Sequence, residues 1–365
     1  MARQKKKYRL WLKNGAVYYV KFPDTGWIST GTGDRDGAVE FAVNYVKPTF
    51  HEEITLREFA KDFYTDRCGY VRRMQDRGQT FKPYSIDRNR MHLENYILPL
   101  FGKYYLHLIT RKLIYNKLKD LTLVRKGREG QPASPAVKNR CIIVLRQIFD
   151  EAEFQEYVKD NPAERLKPFK EEGERPHFTT EELHKLFPEN WQEIWISRKW
   201  YLFFYVMAVT GLRNGEIRAL KWSDWKKSLH GLHIHASIDS YTGEYGETKT
   251  KGQRAVFLSD KLENQLLSLE IETGGEGFIF GQYTPQAELK QFYAALEKAG
   301  VPREGRSPYS LRHSFNTDLR KMVPGAIVDD FMGHVSYRKE YDHRDPTDKL
   351  LQYKEIRDLL NKRGL

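Results

Sequence analysis

Cysteine is almost missing from this chain: Cys68 and Cys141 are the only two in 365 residues. That excludes a disulfide scaffold and a multi-cysteine zinc site, and it fits a reducing compartment. A long apolar run is missing too. The longest, Trp200 to Leu212, falls short of the ~20 residues that a membrane span needs. The basic start, Met1 to Leu10, is followed by no apolar stretch, so no secretory signal is read. There is no internal repeat and no low-complexity tract. What is present, 40% hydrophobic and 13% aromatic residues with 15 prolines, excludes a disordered or fibrous polymer. The expectation is a soluble, intracellular protein of two or three domains.

An acidic surplus is also lacking: Lys and Arg number 61 against 49 Asp and Glu, a net charge of +12. The excess is uneven. Residues 1–50 hold 9 basic and 4 acidic side chains, residues 51–170 hold 24 and 16, and residues 171–365 hold 28 and 29. A basic first half joined to a neutral second half suits a polyanion tracked by one half and something more local done by the other. A merely solubilising surface fits the same totals. No basic stretch is also amphipathic enough to suggest membrane binding.

Local patterns divide the chain. Tyr8–Leu12 and Val17–Phe22 are β-rich runs joined by Lys13-Asn14-Gly15, and Trp27–Thr30 is a third. A helix from Ala38 to about Val46, opened by Asp36 or Gly37, completes a small module over 1–50. Residues 52–160 read as all-helical, with a capping box at Thr55–Glu58 and helices near 85–96, 110–121 and 135–156. Arg72, Arg73, Arg77, Lys82, Arg88, Arg90, Lys138, Arg140 and Arg146 are spread over these helices, where they could meet phosphates. Residues 161–177, with three prolines and alternating charges, form the linker. A C-terminal domain, 178–365, follows, its first helix capped by Thr179 or Thr180.

Four strings in that domain carry chemistry. Thr210-Gly211-Leu212-Arg213-Asn214-Gly215-Glu216 puts an arginine on the turn between an apolar helix and an amphipathic one, with Glu216 able to hold its fork. A planar guanidinium suits bidentate contact with phosphate, though an Arg–Glu pair can also merely pin a turn. Lys249 precedes a basic turn between strand-like runs, where an ammonium can serve as charge partner or proton donor. It can equally be part of a Lys-rich edge that discourages strand pairing. The third string is Tyr309-Ser310-Leu311-Arg312-His313-Ser314-Phe315, and the fourth is Met332-Gly333-His334, followed seven residues later by Tyr341. His230, His233 and His235 lack neighbouring ligands at metal spacing, so neither metal nor cofactor is expected.

Taken in order, these strings resemble the tyrosine recombinase (phage integrase) family over about 178–345. The family's T-G-x-R-x-x-E segment corresponds to Thr210–Glu216, its hairpin lysine to Lys249, its H-x-L-R-H-[ST]-F segment to Tyr309–Phe315, its L-G-H segment to Met332–His334, and its nucleophile to Tyr341. The resemblance implies catalytic roles for Arg213, Lys249, Arg312, His334 and Tyr341, with Glu216 supporting them. Two positions depart from the pattern. Tyr309 stands where the family has histidine, and with an ordinary pKa of about 10 it is a poor proton shuttle. Tyr341 lies closer to His334 than usual, and Tyr337 stands one helical turn before it.

The resemblance further implies a multidomain, mainly α fold with small β-sheets. Its parts would be an arm-site-binding module (1–50), a helical core-site-binding domain (52–160), and a mixed α+β catalytic domain (178–365) with a tail helix. It implies a metal- and ATP-independent integrase that cleaves and rejoins double-stranded DNA through a 3′-phosphotyrosyl link, in the cytoplasm at the nucleoid. Its partners would be core and arm DNA sites, three further copies in a tetramer, and accessory directionality or bending proteins. A catalytically decayed DNA-binding protein and a type IB topoisomerase are the alternatives. The tail, 347–363, has an amphipathic pattern that fits either its own core or a neighbouring protomer.

Overall fold

Asn14 and Gly15 both take positive φ, 53° and 69°, the conformation that a tight hairpin between right-twisted strands requires. They join β1 (Arg9–Lys13) to β2 (Val17–Lys21), and β3 (Ile28–Ser29) pairs antiparallel on the far side of β2. In this computed structural model the described residues are 8–22, 26–44, 54–65, 67–79, 81–171, 173, 176–248, 252–281, 283–333 and 354–362. The chain divides into two compact units, Met1–Glu172 and Gly173–Leu365.

Strand alternation splits the first sheet into two faces. Val20 is fully buried, as is Ala38 of α1 (Arg35–Asn44), with Ala42 close behind. The opposite face carries Arg9, Trp11, Lys13, Tyr19 and Lys21. Trp11 is 46% exposed and Trp27 44%, with Trp11 ringed by Tyr19 at 5.9 Å and Trp27 at 5.6 Å. The helix begins at Arg35, ahead of the Asp36 or Gly37 start read from the sequence, because the Asp34 carboxylate accepts the Gly37 N–H at 2.7 Å.

The rest of the first unit is helical. The Thr55–Glu58 capping box opens α2 (Leu56–Phe59), and α3 (Gly69–Asp76), which sequence pattern did not reveal, follows. Pro83 sits at the first position of α4 (Pro83–His92), where its missing N–H costs nothing. The helix then widens into a π turn, Leu93–Ile97, and resumes as α5 (Leu98–Phe101). Pro99 gives no N–H to the preceding turn, which is a physical reason for the irregularity. Thr110 caps α6 (Arg111–Lys119), and the long α7 (Pro135–Phe154) buries Cys141, Val144, Leu145, Ile148 and Phe149 against the others.

Several of the basic side chains that sequence spread over these helices serve the fold itself. Arg73 pairs with buried Glu151 at 2.5 Å, and Arg90 donates to the Tyr64 carbonyl. Arg146 Nε donates to the Ala163 carbonyl at 3.0 Å, and its Nη2 donates to that of Leu166. Those bonds draw the start of the proline-rich stretch onto the first unit, where Ala163 is fully buried and Leu166 is 8% exposed. Arg88 and Arg140 are left close together, and burial followed by Arg88 lowers the Arg140 pKa.

In the second unit, Thr179 caps α8 (Thr180–Leu186) through a complete capping box with Glu182. Helix α9 (Arg198–Thr210) is apolar all round, and every residue from Trp200 to Thr210 is buried. Such a helix can only be central. After it come α10 (Asn214–Ala219), β4 (Trp225–Lys226), β5 (Gly231–Ile234), β6 (Ala236–Ile238), β7 (Tyr245–Glu247) and β8 (Arg254–Phe257). The strands make one antiparallel sheet in the order β4-β5-β8 and a β6-β7 hairpin. Helices α11 (Asp260–Thr273), α12 (Pro285–Lys298), α13 (Pro308–Met322) and α14 (Gly325–Phe331) complete the core.

The C-terminal helix, Lys354–Lys362, packs on this same core. Ile356 and Leu360 are buried in it, and Arg357 reaches Asp260 at 2.6 Å and Glu263 at 3.0 Å. In the single chain, the apolar stripe of this helix is seated on its own core.

Candidate active site

Gly211 ends α9 in the left-handed conformation, φ +66°. A Cβ there would lie 2.6 Å from Phe315 Cδ1 and 2.7 Å from Met332 Sδ, so only glycine lets α9, α13 and the end of α14 converge. Two residues on, Arg213 is the N-cap of α10. Gly215 lets that helix press onto β6, since a Cβ would meet Ser237 Oγ at 2.5 Å and Ile238 O at 2.7 Å.

Glu216 is the hub. Its Oε1 accepts from Arg213 Nη1 at 2.8 Å and Arg254 Nη1 at 3.1 Å, and its Oε2 from the Arg213 N–H at 2.9 Å and Arg254 Nη2 at 2.6 Å. Burial pushes this carboxyl up, but Arg254 and then Arg213 outweigh it and hold it down at about 2. Arg254 Nε also donates to the Phe331 carbonyl at 3.0 Å.

Arg312, on α13, is buried and donates to the carbonyls of Met332 (2.7 Å) and Gly211. Arg213 Nη2 lies 3.5 Å from Gly333 O. The guanidiniums thus sit on carbonyls at the C-terminal ends of α9 and α14, where unpaired acceptors and the negative end of the helix dipole favour cations. Among the described residues, two guanidiniums bond the Glu216 carboxylate and a third, Arg312, lies near it, so this cluster carries more positive than negative charge. Burial, then Arg213 and Arg254, lower the Arg312 pKa to about 10. Arg213 keeps 21% of its side chain exposed, so the cluster opens to solvent through it.

Tyr309 lies one turn before Arg312 on α13, 43% exposed, its ring edge-on to His313 at 4.7 Å. Thr248 Oγ1 donates to the Gly252 carbonyl at 2.8 Å and accepts its N–H at 3.2 Å, closing the ends of the segment that carries Lys249. The hairpin turn itself lies earlier, at Asp239–Glu244. Lys249, His334, Tyr337 and Tyr341 are outside the described residues. Of the residues singled out from sequence, the structure therefore brings together Arg213, Glu216, Arg312 and Tyr309. His233 and His235 are held by Gln253 and Asp224.

Sequence reading missed Arg254. The signal was there: strand alternation puts Arg254 on the same face as Val256, which is fully buried. A charge on a buried face needs a partner.

Residues 178–346 match the model of the phage integrase family. That segment, 169 of the chain's 365 residues, matches a phage integrase domain. The family is that of the tyrosine-type site-specific recombinases. The chain is 26% identical over 283 residues to the ICEBs1 integrase of Bacillus subtilis, covering 68% of this chain and 74% of that one. It is likewise 26% identical to tyrosine recombinase XerH of Helicobacter pylori over 286 residues, 69% and 76% of the two chains. A lambda integrase tetramer bound to a Holliday junction shares the fold with a TM-score of 0.56 at 20% identity, over 94% of this chain and 99% of that one.

Proposed function

We propose that Arg213 and Arg312 hold the scissile phosphate while Tyr341 attacks it, and that a homotetramer on paired core sites integrates and excises a mobile element. The observation that supports this is electrostatic. Arg213 and Arg254 both bond the carboxylate of Glu216, Arg312 lies within electrostatic reach of all three, and Arg213 is the partly exposed member of this described cluster. A phosphodiester gaining charge in its transition state is the ligand that such an unbalanced cluster stabilises. Fixed charges aimed at developing charge usually contribute more to catalysis than any other effect in sites of this kind.

Tyr341 Oη attacks phosphorus in line. The P–O5′ bond breaks as the 3′-phosphotyrosyl bond forms, Lys249 gives a proton to the departing O5′, and His334 takes the tyrosyl proton or binds a non-bridging oxygen. The covalent link conserves the bond energy, so a 5′-hydroxyl of another duplex reverses the step with exchanged strands. Tyr309 donates a hydrogen bond to the phosphate and carries no proton between groups.

The N-terminal sheet face, with Arg9, Lys13 and Lys21 around Trp11 and Tyr19, suits an arm-site groove. The helical unit, with Arg88 and Arg140, suits the core-site backbone. Affinity for both then falls steeply with salt. A suicide duplex bearing the element's attachment sequence tests the central claim. The protein should be trapped covalently, Tyr337→Phe should still trap, and Tyr341→Phe should not. An adduct that survives Tyr341→Phe and disappears with Tyr337→Phe moves the nucleophile to Tyr337.

A further inference from the structure

We infer that Arg254 is a positioning residue: it holds both oxygens of Glu216 and so keeps Arg213 turned toward the phosphate. The inference rests on the reading of Arg213 as a phosphate ligand.

Two geometric facts carry it. Glu216 and Arg213 are three residues apart at the start of one helix, close enough for a carboxylate and a guanidinium to close into a two-bond fork. That closure does not occur. Arg254 takes the fork, 3.1 and 2.6 Å to the two oxygens, and Arg213 is left with one side-chain bond to Oε1. Among the described residues, the outer nitrogen of Arg213 meets only the Gly333 carbonyl, at 3.5 Å. Arg254 commits both ends of its fork to the two oxygens of Glu216 and its Nε to the Phe331 carbonyl, the arrangement of a side chain that holds Glu216 in place.

Its third bond extends the device. By donating to Phe331 O, Arg254 ties β8 to the end of α14, three residues before His334 in sequence. A Cβ on Gly333 would lie 2.8 Å from Arg254 Nη1, so the turn that leads to His334 is built against this guanidinium. Lys249 is five residues upstream of it on the same chain segment. One side chain therefore links the string that carries Arg213 and Glu216 to the end of α14.

The test is single-turnover cleavage of a suicide duplex by the full-length protein in saturating excess, reading both the rate constant and the final adduct yield. Arg254→Lys retains the buried charge without the fork. It should slow cleavage roughly 10- to 100-fold, as misplacement of a catalytic group does, with yield and site affinity within about twofold of the unsubstituted protein. The same change in an Arg213→Lys background should cost no more than about threefold, because residues that act through one another are not additive. Equal losses in both backgrounds, or a reduced yield at an unchanged rate constant, would overturn the inference, the second outcome being that of a residue needed only for folding. Absence of adduct from the unsubstituted protein refutes the assignment of the site itself, and this inference with it.

Discussion

Glu216 and Arg254, 38 positions apart in the chain, meet as a buried two-bond fork that joins the start of α10 to the start of β8. Both side chains are almost wholly removed from water, so neither charge tolerates loss of the other. A single broken buried pair of this kind costs about 3–5 kcal/mol, because the survivor is left charged and unpaired.

That cost should depend on pH in a particular sense. The folded-state pKa of Glu216 is lowered from its ordinary 4.5 to about 2. A depressed carboxyl contributes stability that is present in full above its unfolded value and lost as pH falls through the folded one. Denaturant melts of the wild type should thus lose stability between about pH 4.5 and 2. Glu216→Gln should be less stable at pH 7 and flatter across that window. A variant with the same acid-side slope as wild type would remove Glu216 as its source.

Gly333 combines a left-handed backbone, φ +65°, with a Cβ position occupied by Arg254. Gly333→Ala carries about 1–3 kcal/mol of backbone strain and also forces the guanidinium off Glu216. We expect adduct formation to fall by more than roughly tenfold at temperatures where circular dichroism shows the variant folded. Near-normal cleavage would mean that the turn can relax without disturbing Arg254.

Tyr309 stands beside Arg312 where a histidine is usual in the family. Tyr309→Phe removes one hydrogen bond to a charged group, worth about 1.5–3 kcal/mol, and should slow cleavage without changing the shape of its pH profile. Tyr309→His should introduce a new limb near the ordinary histidine pKa of about 6.5. Rate profiles from about pH 5 to 9 separate the two, and an unchanged histidine-variant profile would place that side chain away from the reacting atoms.

Ile356 and Leu360 of the C-terminal helix are buried in the catalytic core. Leu360→Ala should lower stability by about 2–5 kcal/mol, the usual cost of emptying a core leucine site. Arg357→Ala, at a partly exposed pair with Asp260 and Glu263, should cost about 1 kcal/mol or less. Thermal melts rank the two, and an innocuous Leu360→Ala would show that the helix leaves this seat in solution.

Local chemistry was legible without coordinates. The capping boxes at Thr55 and Thr179 open helices where the pattern placed them, Asn14-Gly15 turns the first hairpin, and α9 is central because it has no polar face. Arg213 and Arg312 do converge, as the order of their strings implied. Misreadings arose where a residue's role depends on a distant partner. Arg73 and Arg146, read as candidates for phosphate, are spent on Glu151 and on two backbone carbonyls. Helix α3 lacks a side-chain cap at Cys68, so nothing local announced it.

By itself, then, the amino-acid order determined which chemical groups the protein owns and where its side-chain-capped helices begin, at Thr55 and Thr179. Each of these depends on neighbours within one or two turns of chain. The tertiary structure alone decided that Arg254 takes both oxygens of Glu216 while Arg213 keeps one side-chain bond, and that residues 354–362 are seated on the catalytic core. Those outcomes depend on segments tens to a hundred residues apart meeting in a close-packed interior, where total burial and charge pairing select the partner and sequence distance has no say.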